Sequence, residues 1–148
     1  MIDNITIFFI FIISTFFLSN SFAFNLVGTW RLQAIEHQLG NKKWEPDCNS
    51  PTGLLIYTKE GYMAVGLNCM QEKNPKIASF KKQDITFYTG TYSLKNNIIF
   101  HHILNSSSPN LYGRTVKRNL QILNDNEIIL LLENKDKNPV RIIWKKTL

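Results

Sequence analysis

Several absences narrow this 148-residue chain before anything present in it is read. It has only two cysteines and three histidines. No cluster of histidine, cysteine or acid has the spacing of a metal site, no glycine-rich loop suits a nucleotide phosphate, and no nucleophile motif occurs. No metal and no cofactor are therefore expected. Basic residues outnumber acidic ones, 17 to 11, yet they are scattered, and the clusters are pairs such as Lys42-Lys43, Lys81-Lys82 and Lys145-Lys146. Nucleic acid calls for a basic stripe with stacking aromatics on one face, and none is visible. The excess suits solubility, an anionic ligand or an anionic surface. No helical periodicity rivals the strand alternation described below, and there is no internal repeat, linker or low-complexity tract.

One long apolar run is present, residues 5–18, followed by Ser21-Phe22-Ala23. A run of that length with a small-x-small site predicts an export signal cleaved after Ala23. It is shorter than the roughly 20 residues of a spanning helix, and no second apolar run follows. No Lys or Arg precedes it, so the alternative is an uncleaved anchor. No cysteine follows closely, which argues against a lipoprotein anchor. The expected mature domain is 24–148, periplasmic or secreted, with charge +7 because Asp3 leaves with the signal. It is long enough for one core without metal or several disulfides.

Eight extended segments are predicted from alternation and turn residues: 27–37, 53–58, 62–68, 85–94, 98–104, 114–123, 127–133 and 140–146. Lys59-Glu60-Gly61, Asn96-Asn97 and Asp125-Asn126 are tight hairpin connections. Longer links alternate with them, and 70–84 suits one helical turn. Eight antiparallel strands joined alternately by short and long links predict an all-β, up-and-down barrel with a tight end and a loop-rich end. Such a barrel is either filled by its side chains or holds one small ligand. A β-sandwich of similar strand count is the alternative.

The segments Leu26-Val-Gly-Thr-Trp-Arg-Leu32, Gly53-Leu-Leu-Ile-Tyr-Thr-Lys-Glu-Gly-Tyr-Met63 and Tyr88-Thr-Gly-Thr-Tyr92 are followed by His101-His102, Pro109-Asn110, Gly113 and Arg118. In that order and spacing the chain resembles the bacterial and fungal lipocalin-like domain family over nearly all of its mature length. The resemblance implies an eight-stranded barrel with a central cavity and names no ligand. It also implies structural roles for Gly28 and Trp30. In lipocalins the Gly-x-Trp tryptophan closes the barrel floor and often meets an arginine, here Arg141 or Arg118.

A two-residue Asn96-Asn97 hairpin pairs Leu94 with Ile99, Tyr92 with His101 and Gly90 with Ile103. Tyr88, Tyr92, Leu94, Ile99, His101 and Ile103 share the face expected to point inward, and His102 should face solvent. His101 beside Tyr92 could bind a ligand or move a proton, or could be a buried imidazole and phenol satisfying one another. The Asp125-Asn126 turn predicts Ile122 opposite Ile129, Leu120 opposite Leu131 and Arg118 opposite Glu133, all facing inward. Arg118 would then receive a ligand carboxylate or form a structural pair with Glu133. Trp30 and Trp144 are expected as plugs at the tight end. Tyr57, Met63, Val65 and Leu67 would line the cavity unless a bulge at Gly61 shifts their parity. Cys48 and Cys69 fall in links at the loop-rich end, so an exported chain should join them as a disulfide.

These features predict a binding protein for a small hydrophobic or amphipathic molecule, with Tyr57, Tyr88, Tyr92, His101 and Arg118 as contacts. The alternatives are a cofactor-independent isomerase or cyclase using Tyr92 and His101, and an exported interaction protein with a filled barrel.

Overall fold

Alternating apolar and polar residues punctuated by tight turns produce a sheet that closes on itself. The computed structural model describes residues 24–70, 84–132 and 138–147. The strands are β1 (Gly28–His37), β2 (Glu45–Pro46), β3 (Ser50–Tyr57), β4 (Tyr62–Met70), β5 (Asp84–Lys95), β6 (Ile98–Ser106), β7 (Thr115–Asn124), β8 (Glu127–Leu132) and β9 (Val140–Lys146). β1 and β3–β9 follow one another around an antiparallel barrel, and β1 completes the ring by pairing with both β3 and β9. The two-residue β2, which alternation did not predict, adds to the end of β1 at Glu36 and His37. Among the described residues no helix is long and apolar enough to cross a membrane. The predicted leader 1–23, the helical turn expected within 70–84 and Glu133 lie at least partly outside the described residues.

Turn chemistry fixes the register around the future site. Asn96 and Asn97 take φ of 51° and 59°, the left-handed pair that matches the twist of a two-residue hairpin and that asparagine tolerates. Leu94 therefore faces Ile99, Tyr92 faces His101 and Gly90 faces Ile103. The register then shifts between Gly90 and Thr89, where the strands approach so closely that a Cβ on Gly90 would lie 2.0 Å from the His102 carbonyl oxygen. Only glycine fits there. The Gly61 turn leaves parity unshifted: Tyr57 faces Met63, and both are buried with Leu55 and Val65.

The β7–β8 register differs from expectation by one residue. Leu120 faces Leu130 and Ile122 faces Ile128, because an irregularity between Ile122 and Asn124 takes up one position just before the turn. Ile128 and Leu130 are buried and Leu132 packs against the core, whereas Ile122 is exposed. β8 thus turns inward the face opposite to the one expected. Its sequence, Glu-Ile-Ile-Leu-Leu-Leu, is apolar on both faces, so alternation could not select the inner one.

The Gly-x-Trp motif closes the tight end. Gly28 has φ of 141°, and a Cβ there would meet Lys146 Cε at 2.8 Å. The lysine stem crosses this gap, and its ammonium stands 5.1 Å from the centre of the Trp30 ring. The cation over the tryptophan is therefore Lys146 and not Arg118 or Arg141. Arg141 instead pairs with Glu36 and stacks on Trp44 near the loop-rich end.

Candidate functional site

The inward residues do not fill the barrel. A cavity of about 270 Å³ remains, its lower wall made by Leu55, Val65, Leu130, Ile142 and Trp144. Leu67, Thr86, Leu111 and Leu132 line it toward the loop-rich end, Leu111 coming from the β6–β7 connection. Four polar side chains interrupt this largely apolar wall: Thr86 and Tyr88 from β5, His101 from β6 and Arg118 from β7. Arg118 is the only charged residue of the lining among the described residues.

His101 is 1% exposed and is held by two phenols. Its Nε2 lies 2.7 Å from the Tyr57 hydroxyl and its Nδ1 lies 3.1 Å from that of Tyr88. The phenols reach it from β3 and β5, on either side of the ring. Burial, then the positive charge of Arg118 and a smaller influence of His102, lowers the His101 pKa from 6.5 to about 3. The imidazole is thus neutral at physiological pH. Burial likewise raises the pKa of Tyr57 and Tyr88, so both remain phenols. The positive charge of Arg118 opposes the rise at Tyr88, and the guanidinium itself donates to the Lys117 carbonyl at 3.0 Å.

Tyr92, although opposite His101 in register, takes no part in this group. It is half-buried, its hydroxyl donates to the Thr58 carbonyl at 2.9 Å, and its ring packs 4.5 Å from that of Tyr57. It supports Tyr57 rather than lining the cavity. His102 is exposed and hydrogen-bonds with Thr115 at 2.9 Å. Arg118 faces Ile99 across the β6–β7 pair. The expected partner, Glu133, lies outside the described residues.

The two tryptophans separate in role. Trp30 is sealed below the cavity, with its Nε1 donating to the Leu26 carbonyl at 3.0 Å. Trp144, expected as a plug, is part of the cavity wall. Its buried Nε1 has no hydrogen-bond partner among the described residues. At the opposite end, Cys48 and Cys69 form a disulfide with Cα atoms 5.6 Å apart. It joins the segment before β3 to the end of β4, and His37 approaches Asp47 at 3.4 Å beside it.

Sequence reasoning placed His101 on the inner face but gave it the wrong phenol. The hairpin register named the nearest residue across the strand, whereas Tyr57 arrives from 44 positions away through barrel closure. The wall position of Trp144 also had no local signal. Its counterpart across β1–β9 is Leu32, just before a bulge between Leu32 and Ala34.

A search of curated proteins finds no match. Among solved structures the chain is similar to an uncharacterised protein from Bacteroides eggerthii DSM 20697, at 16% identity and a TM-score of 0.47, over 83% of this chain and 100% of that one. It is also similar to a de novo designed fluorescence-activating β-barrel, at 10% identity and a TM-score of 0.43, over 82% and 93% of the two chains. A redesigned β-barrel matches at 11% identity and a TM-score of 0.44, over 83% and 92%. The family model described as a lipocalin-like domain matches residues 27–147, nearly the whole of the described barrel, and the chain belongs to that family.

Proposed function

We propose that this protein is an exported binding protein that holds one small amphipathic molecule inside its barrel. The observation that carries this reading is the cavity itself: about 270 Å³ of space with apolar walls and a few convergent polar groups, the usual composition of a small-molecule site. The disulfide fits an oxidising destination, and the predicted leader 1–23 supplies the route. The ligand contacts are Tyr88, His101, Arg118 and Trp144, with Tyr57 behind His101.

The geometry favours binding over turnover. A general base works best with a pKa near the working pH, and His101, lowered to about 3, is a poor proton acceptor at neutrality. Both of its ring nitrogens are already engaged by phenols, and Tyr92, the expected partner in an isomerase or cyclase, is committed elsewhere.

Native mass spectrometry of the protein purified from its own host tests the reading, followed by a screen of fatty acids and aromatic metabolites using Trp144 fluorescence. A bound small molecule, or saturable quenching that disappears when Leu130→Trp fills the cavity, is the expected result. A protein that retains nothing and responds to no probe overturns it.

A further inference from the structure

The polar atoms around the cavity are unequal in kind, and their inequality specifies a ligand. The buried Tyr57 hydroxyl has one hydrogen-bond partner among the described residues, His101 Nε2. A buried hydroxyl with one partner able to accept donates to it, because a stranded proton is costly whereas an unused lone pair is commonly tolerated. Nε2 is then the bare nitrogen, and the single imidazole proton sits on Nδ1. Nδ1–H donates to the Tyr88 oxygen at 3.1 Å, so Tyr88 accepts there and has its own O–H proton left to offer.

Arg118 adds the only charge of the lining among the described residues. The uncommitted polar groups of the wall are thus donors, except for the Thr86 hydroxyl, which can act either way. Such a set is poorly matched to a ligand that must donate. A neutral carbonyl would leave the guanidinium charge uncompensated in an apolar cavity. A doubly charged phosphate ester would carry one negative charge beyond what Arg118 neutralises. A carboxylate matches both the single charge and the planar fork of arginine.

We infer that the ligand is a small acid with an apolar tail, bound head-in, its carboxylate accepting from Arg118 and Tyr88 while the tail lies along Leu67, Leu111 and Leu132 toward the loop-rich end. This rests on the cavity being a ligand site, as proposed above. Its size follows from volume. An engineered cavity of about 150 Å³ holds benzene, so about 270 Å³ accommodates roughly eleven non-hydrogen atoms by proportion. His101 acts here as a positioning residue, fixing the direction in which Tyr88 donates.

The test uses the whole exported protein, titrated calorimetrically at neutral pH with octanoate, 3-phenylpropanoate, octanol and octylamine. The acids should bind at least about tenfold more tightly than octanol, the worth of one charge-assisted hydrogen bond, with octylamine weakest. Arg118→Met should abolish the preference while retaining octanol binding, and Tyr88→Phe should weaken the acids alone. Equal binding of octanoate and octanol by the unmodified protein overturns the carboxylate assignment while leaving the binding reading intact, and this comparison depends on no variant folding. A preference that emerges only in Glu133→Gln would show Arg118 already neutralised by the chain's own acid and also overturns it. Failure of every probe, with no ligand retained from the host, removes both readings together.

Discussion

Trp30 and Trp144 are buried to nearly the same degree, 0% and 1% exposed, and lie close together on adjacent strands of one barrel. They nevertheless belong to different regions. Trp30 is satisfied on every side: its indole donates to Leu26, Phe24 packs against its ring, and Lys146 lies over it. Trp144 borders empty space and carries a donor without a protein acceptor among the described residues. Burial alone does not distinguish a floor from a wall. The fate of the polar atom does, because a folded protein pairs nearly all of its buried N–H groups, and Trp30 follows that rule where Trp144 departs from it among the described residues.

The sharpest way to break this comparison is truncation of the floor. Trp30→Ala should destabilise the barrel by about 3–5 kcal/mol, the range for deleting a large buried aromatic. A loss below about 1 kcal/mol in a denaturant titration would contradict its place in the core. At the other end, reduction of the Cys48–Cys69 bridge should lower stability by about 3 kcal/mol through the freedom it restores to the unfolded chain. Circular dichroism should show the strand content intact below a lowered melting temperature, and thiol counting on the native protein should find no free cysteine.

The cavity region should also reveal itself through pH. Neutral His101 has a folded pKa of about 3 against 6.5 when exposed. Below 6.5 the unfolded chain therefore binds a proton that the folded chain refuses. The stability this lends is fully present above pH 6.5 and declines as pH falls toward 3, with a slope of up to about 1.4 kcal/mol per pH unit. Denaturant titrations from pH 7 to 4 should show His101→Gln losing less stability over that window than the unmodified protein. Parallel pH dependences would mean that the imidazole is accessible to water.

The finest discrimination comes from changing only the indole nitrogens. Trp30→Phe strands the Leu26 carbonyl and should cost about 1–3 kcal/mol. Trp144→Phe removes a donor that has no acceptor to lose among the described residues, and should change stability by less than about 1 kcal/mol. Equal stability losses in the two variants would erase the distinction between floor and wall.

The barrel was legible in the sequence because its signals are local. Strand alternation and turn residues located the eight long strands to within about three residues. Asn96-Asn97 alone dictated the pairing of Tyr92 with His101. What was not legible depends on closure or on irregularity. The shift near Leu123 moved the β7–β8 pairing by one residue, and the uniformly apolar β8 offered no pattern to reveal it. The Tyr57–His101–Tyr88 group joins three strands, and hairpin counting sees only two at a time. Lys146 could replace the expected arginine above Trp30 because the position needs a cation on a long apolar stem, which several residues at the end of β9 could supply.

The seam of the barrel has a directional consequence. Thr147 donates its backbone N–H to Thr29, and Lys146 donates to the Asn25 carbonyl, so the chain enters and leaves side by side at the tight end. The cavity lining formed by Leu67, Leu111 and Leu132 lies toward the other end. A pull transmitted through Asn25 or Thr147 therefore falls on the sealed pole, and the cavity lining at the far pole bears none of it directly.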